Sequence, residues 1–143
     1  MAKKISRIKE ELLGVISILF SLYLGLSLFS FTKWDASLFT FTKNPTINYG
    51  GVIGAFVSDL LMSLIGFAAY LAPVALVVFG VRRLMSKEKR KVYLLGTLLL
   101  IFSASILSSL LLKTFNISTE NNPGGITGSV ISDKLEHYLS ILG

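Results

Sequence analysis

Apolar side chains fall into three long runs, Leu12–Phe31, Leu60–Val81 and Val92–Leu112, of 20, 22 and 21 residues without one charge. A helix rises about 1.5 Å per residue, so each run is long enough to cross a hydrocarbon layer of about 30 Å. The polar segments between the runs are too short to build a core of their own. The pattern therefore predicts one all-α membrane domain, a helical bundle over residues 1–143.

The positions inside and between the runs sharpen this outline. Residues 12–31 read as the first span, with Ser17, Ser21 and Gly25 at four-residue spacing on one stripe where a neighbouring backbone can approach closely. Phe29, Phe31 and Trp34 stand where aromatic rings anchor at the interface. The 32–50 loop contains an alternating run, Leu38–Thr42, that reads as extended against the membrane surface, before Pro45 and Asn48 interrupt it. From Tyr49 to Leu84 a single helix would be about 54 Å long and would carry Asp59 into the bilayer. That length predicts a short interfacial helix over 51–65, a bend near Gly66 and a span over 66–84. Pro73 leaves the Ala69 carbonyl without its amide partner, so a kink is expected there. Residues 92–112 form the third span. Its Gly96, Thr97, Ser103, Ser105, Ser108 and Ser109 read as packing groups, since no ionisable partner accompanies them.

Charge gives the direction. The chain is 15% charged, against about 25% for an ordinary soluble domain, and its net charge is +6. Ten of the 14 Lys and Arg fall in two places: Lys3, Lys4, Arg7 and Lys9, then Arg82, Arg83, Lys87, Lys89, Arg90 and Lys91. The positive-inside rule puts residues 1–11 and the basic 85–91 loop in the cytoplasm, and the 32–50 and 113–143 segments in the periplasm. Such clusters read as topology signals touching anionic headgroups, with no direct nucleic acid contact.

Chemistry is sparse. There is no cysteine, and His137 beside Asp133 and Glu136 reads as the solvated face of an interfacial helix. No nucleophile–base pair can be drawn, and no Gly is followed by Lys-Ser or Lys-Thr to cradle a phosphate. No catalytic residue, metal site or cofactor is assigned, and these residues are not expected to be an enzyme. Two functional classes remain: a membrane anchor and assembly domain, or a small multi-span transporter or channel subunit. The second would need an ionisable group facing a cavity, and only Asp59 and Asp133 approach that role.

A repeat organises the chain. Gly50-Gly51-Val52-Ile53-Gly54-Ala55-Phe56-Val57-Ser58-Asp59-Leu60-Leu61 returns 74 positions later as Gly124-Gly125-Ile126-Thr127-Gly128-Ser129-Val130-Ile131-Ser132-Asp133-Lys134-Leu135, with six of 12 residues identical. Asn and Pro precede both copies. The first copy feeds a span, so the second predicts a fourth span after Gly143. The expected architecture is three transmembrane helices plus two short interfacial or re-entrant helices on the periplasmic side, forming the front part of a longer protein.

Asn48-Tyr49-Gly50-Gly51-Val52-Ile53-Gly54-Ala55, Ser58-Asp59-Leu60-Leu61 and Leu64-Ile65-Gly66-Phe67-Ala68-Ala69-Tyr70-Leu71-Ala72-Pro73 resemble the N-terminal membrane domain of the FtsK/SpoIIIE family of bacterial DNA translocases. The pattern is a glycine-rich opening, Asp-Leu-Leu, a Gly turn and an Ala-Tyr-Leu-x-Pro span, followed later by a second Gly-Gly-x-x-Gly. The matching motif positions are Gly50, Gly51, Gly54, Asp59, Gly66, Tyr70, Pro73, Gly124, Gly125, Gly128 and Asp133. The resemblance implies four spans, a linker and a cytoplasmic ATPase that pumps DNA through the closing septum. It also implies a homo-oligomer, contact with other cell-division membrane proteins, and residence in the inner membrane at the septum.

Overall fold

From Ala2 to Phe29 the chain holds no proline, and it forms one helix, α1, of 28 residues. The helix starts ten residues ahead of the apolar run because the basic turns have helical propensity of their own. The remaining elements of this computed structural model are α2 (Gly51–Ile65), a 3-10 segment (Gly66–Tyr70), α3 (Leu71–Leu84), α4 (Arg90–Thr114) and α5 (Gly125–Leu142). The structure describes residues 2–37, 40, 45–85, 90–114 and 123–142, and the side chains of 7–37, 40, 45–85, 92–112 and 123–138. No strand occurs among the described residues. All but Thr40 of the Leu38–Thr42 run, and residues 86–89 of the basic loop, lie outside them.

Among the described residues, three helical stretches are long and apolar enough to cross a membrane: Arg7–Phe29, Gly51–Leu84 and Val92–Leu112. The middle one is not a single rod. Gly66 takes φ +59° and ψ −137°, which ends α2. Beyond it the 3-10 segment and α3 together rise about 31 Å, at about 2.0 and 1.5 Å per residue, which alone matches the hydrocarbon thickness. Helix α2 packs against the C-terminal half of α1. Its first turn is bonded to Tyr23, while Val57, Leu61, Met62 and Ile65 pack against the buried Leu24, Leu28 and Ala69.

Helices α1 and α3 run antiparallel, with Ser21 opposite Pro73, Gly14 opposite Gly80 and Glu10 opposite Arg83. A Cβ on Gly80 would stand 2.7 Å from the Gly14 carbonyl oxygen and 2.7 Å from Ile18 Cγ1. In lipid, burying one apolar surface against another gains little over burying it in acyl chains, so backbone approach of this kind holds the pair. Gly80→Val should therefore cost about 1–3 kcal/mol by overpacking. Gly96→Ala, whose added Cβ meets nothing within 4 Å, should leave the melting temperature in detergent unchanged.

The kink expected at Pro73 is replaced by a different solution. Pro73 falls in the first turn of α3, directly after the 3-10 segment, where a missing amide costs little. Its own carbonyl accepts a 2.6 Å hydrogen bond from the Ser21 hydroxyl. Helix α4 meets the rest of the bundle mainly through α5 and the 3-10 segment, and touches α2 and α3 more lightly. Leu94, Leu95, Leu98, Leu99 and Leu100 stay exposed along it, as a lipid-facing surface requires.

Candidate functional site at the junction of the two repeats

The loop after α1 is folded back by one carboxylate. Asp35 is only 3% exposed, and its two oxygens accept the Ile47 and Asn48 amides at 2.8 and 3.0 Å. Asn48 in turn donates to the Ser27 carbonyl at 2.8 Å and accepts the Gly50 amide at 2.9 Å. This short-range turn of an Asn side chain onto the backbone two residues on sets the start of α2. Tyr49 N–H bonds Ser30 Oγ, and the Tyr23 hydroxyl bonds the Gly50 carbonyl, both at 2.8 Å.

The glycines then sit where a side chain would be either strained or blocked. Gly51 takes φ +65°, and the Gly54 amide bonds the Gly50 carbonyl at 3.1 Å. A Cβ on Gly54 would lie 2.6 Å from both Ser27 Oγ and Asn48 Oδ1, and one on Gly50 would overlap Ser27 Oγ.

The second copy repeats this geometry on α4. Gly125 takes φ +61°, and the Gly128 amide bonds the Gly124 carbonyl at 2.9 Å. Ser105 and Ser109 replace Ser27 as the platform: Ser105 Oγ donates to the Gly124 carbonyl at 2.7 Å and lies 3.0 Å from Thr127 Oγ1. A Cβ on Gly124 or Gly128 would run into Ser105 O and Ser109 Oγ. Both glycine pairs thus face spans of their own chain.

The two copies meet at Gly66. A Cβ there would overlap the Pro123 carbonyl oxygen, and one on Gly125 would stand 2.5 Å from Leu64 C and 2.6 Å from Ile65 N. The Phe67 amide donates to Pro123 O at 2.8 Å, Ser108 Oγ donates to the same oxygen at 3.1 Å, and Thr127 Oγ1 donates to Leu64 O at 2.8 Å. Breaking a helix near lipid frees backbone groups that no water can satisfy, and such a break survives only where protein covers it. Here the opening of the second copy covers the break in the first.

The other motif residues serve the same frame or stand apart. Tyr70 donates from its hydroxyl to the Leu28 carbonyl at 3.2 Å. Asp59 is 8% exposed, and its Oδ2 has no hydrogen-bond partner among the described residues. Asp133, its counterpart in the repeat, is exposed, as is His137, whose ring lies edge-on to Tyr138. Ser27, Asp35, Ser105, Ser109, Pro123 and Thr127 complete the junction without having been singled out as site residues in the sequence. The four-residue spacing of Ser105 and Ser109 is a usable signal, whereas Asp35 only loosely echoes the family's loop pattern and its spacing assigns it no role.

Residues 6–143 match the family described as the 4TM region of DNA translocase FtsK/SpoIIIE. The chain belongs to the FtsK/SpoIIIE family. It is 33% identical over 143 residues to the DNA translocase FtsK of Vibrio vulnificus, an alignment covering 96% of this chain and 14% of that protein. The DNA translocase FtsK of Rickettsia typhi is 30% identical over 80% of this chain and 15% of its own length, and that of Shewanella oneidensis 29% over 90% and 15%. No solved structure matches significantly. The chain thus spans about a seventh of the length of these FtsK relatives. What it shares with FtsK is the membrane domain, outside the motor, of a multi-pass inner-membrane protein.

Proposed function

We propose that these residues anchor a septal DNA translocase in the bacterial inner membrane and take part in its assembly during cell division and chromosome partition. The observation that carries this reading is the match of nearly the whole chain to the 4TM region of proteins named DNA translocase FtsK. The use of the junction's hydroxyls and amides agrees with it: they are spent on backbone groups of the same chain, as a rigid anchor needs. In this reading the domain forms a homo-oligomer, contacts other cell-division membrane proteins and leaves DNA to the motor. Its N-terminus and basic loop lie in the cytoplasm, and α2 and α5 lie on the periplasmic side.

Deleting these residues from the full protein should disperse it from the septum while the purified motor keeps its ATPase activity. Correct septal placement without them would overturn the assignment. Orientation is testable separately because the chain has no native cysteine. Lys87→Cys should resist a membrane-impermeant thiol reagent applied to intact spheroplasts, and Ile47→Cys should react. Among the described residues, the buried, half-unpartnered carboxylate of Asp59 favours a transporter or channel subunit. Ion flux into liposomes that Asp59→Asn abolishes would reverse the ranking.

A further inference from the structure

Three helices converge at the end of the bundle opposite the repeat junction. The last turn of α3 carries Arg82 and Arg83, where cations suit the negative end of the helix dipole. The two arginines are used differently. Arg83 Nη1 bonds Glu10 Oε2 of α1 at 2.9 Å, and its guanidinium lies 4.8 Å from the Phe79 ring centre. That arginine is neutralised.

Arg82 is held but not neutralised. Its guanidinium lies 5.0 Å over the Tyr93 ring of α4, and the Tyr93 hydroxyl bonds the Ala75 carbonyl at 3.0 Å, fixing the ring. Among the described residues, Arg82 has no carboxylate and no hydrogen-bond acceptor. Stacking on an aromatic face leaves the in-plane N–H edge of a guanidinium open, and that edge matches two oxygens of a phosphate. One turn back on the same helix, Val78 is exposed, as is the adjacent Val81. An apolar wall thus runs below the charge, toward the middle of the span. The chain then adds Lys87, Lys89, Arg90 and Lys91 against Glu88 alone.

We propose that Arg82, oriented by Tyr93, binds the phosphate of an anionic phospholipid whose acyl chain lies along Val78 and Val81. A phosphate oxygen pair supplies the acceptors Arg82 lacks, and the hydrocarbon chain occupies the apolar wall that a free phosphate would leave bare. The inference rests on the chain spanning a bilayer and is independent of the septal role, so either can fail alone.

The chain purified in neutral detergent should be titrated with dioleoylphosphatidylglycerol, and separately with dioleoylphosphatidylcholine, and bound lipid counted by native mass spectrometry. The wild type should prefer the anionic lipid. Arg82→Gln should weaken phosphatidylglycerol binding about five- to tenfold, the scale of one arginine at a headgroup with its forked hydrogen bonds, and leave phosphatidylcholine unchanged. Arg82→Lys should recover only part of the loss. Tyr93→Leu should lose severalfold with no change in charge. Arg7→Gln removes the same charge from an exposed arginine paired with Glu11 and should change binding less than twofold.

Equal losses for Arg82→Gln and Arg7→Gln, or wild-type binding by Tyr93→Leu, would show diffuse attraction and overturn the proposal. Displacement of the lipid by millimolar inorganic phosphate would overturn it too, by making free phosphate the ligand. Should Arg82→Gln fail to fold, Arg82→Lys and Tyr93→Leu carry the same comparison.

Discussion

Gly66→Ala and Gly125→Ala should each destabilise the domain by more than about 3 kcal/mol, among the largest effects of any single substitution in it. Two costs combine. Both residues have positive φ, +59° and +61°, where an L side chain costs about 1–2 kcal/mol. Both also face backbone, not a flexible side chain: Gly66 faces Pro123 and Gly125 faces Leu64, Ile65 and Gly66. Backbone cannot swing aside, so relief requires the two repeat units to separate and strand the Phe67 amide and the Leu64 carbonyl. Gly51→Ala isolates the first cost. Gly51 has φ +65° but nothing within 4 Å of its added Cβ, so its loss should stop at about 1–2 kcal/mol. Thermal unfolding in detergent, followed by circular dichroism, ranks the three. A Gly125→Ala variant no worse than Gly51→Ala would show that the two copies are not locked together.

Asp35→Ala should cost about 1–3 kcal/mol, because it leaves the buried Asn48 amide and the part-buried Ile47 amide without their acceptors. Asp35→Asn should recover little. It supplies one acceptor but turns an N–H group toward an amide that also donates. The damage should spread beyond the loop, since Asn48 carries the connection from Asp35 to Ser27 and to the first turn of α2. Hydrogen exchange should therefore speed up at the Gly50 and Gly54 amides in Asp35→Ala and remain at wild-type rates at Gly128. Unchanged exchange at Gly50 would remove Asp35 from any role in placing α2.

Much of this architecture was readable along the chain. Run length alone separates a membrane-crossing helix from a core helix, and that criterion needs no knowledge of neighbours. The break at Gly66 was legible because 36 residues of helix exceed a bilayer's thickness and glycine is the natural place to stop. Pro73 shows the limit of such reasoning. The rule that proline kinks a helix assumes a continuous helix around it, but the 3-10 segment places Pro73 in a first turn, where its missing amide is harmless. The start of α1 at Ala2 shows another limit, since helix does not end where apolarity does.

By itself the sequence determined where apolar runs long enough to cross a membrane lie, the clustering of positive charge and the existence of two matching units. These are properties of runs and local conformational freedom, and solvent imposes them residue by residue. Only the tertiary structure decided that the opening of the second unit covers the broken helix of the first, and that Arg83 is neutralised while its neighbour Arg82 is not. Backbone amides and carbonyls carry no side-chain signature. The partners of those freed at Gly66 are set by which distant segment approaches within 3 Å.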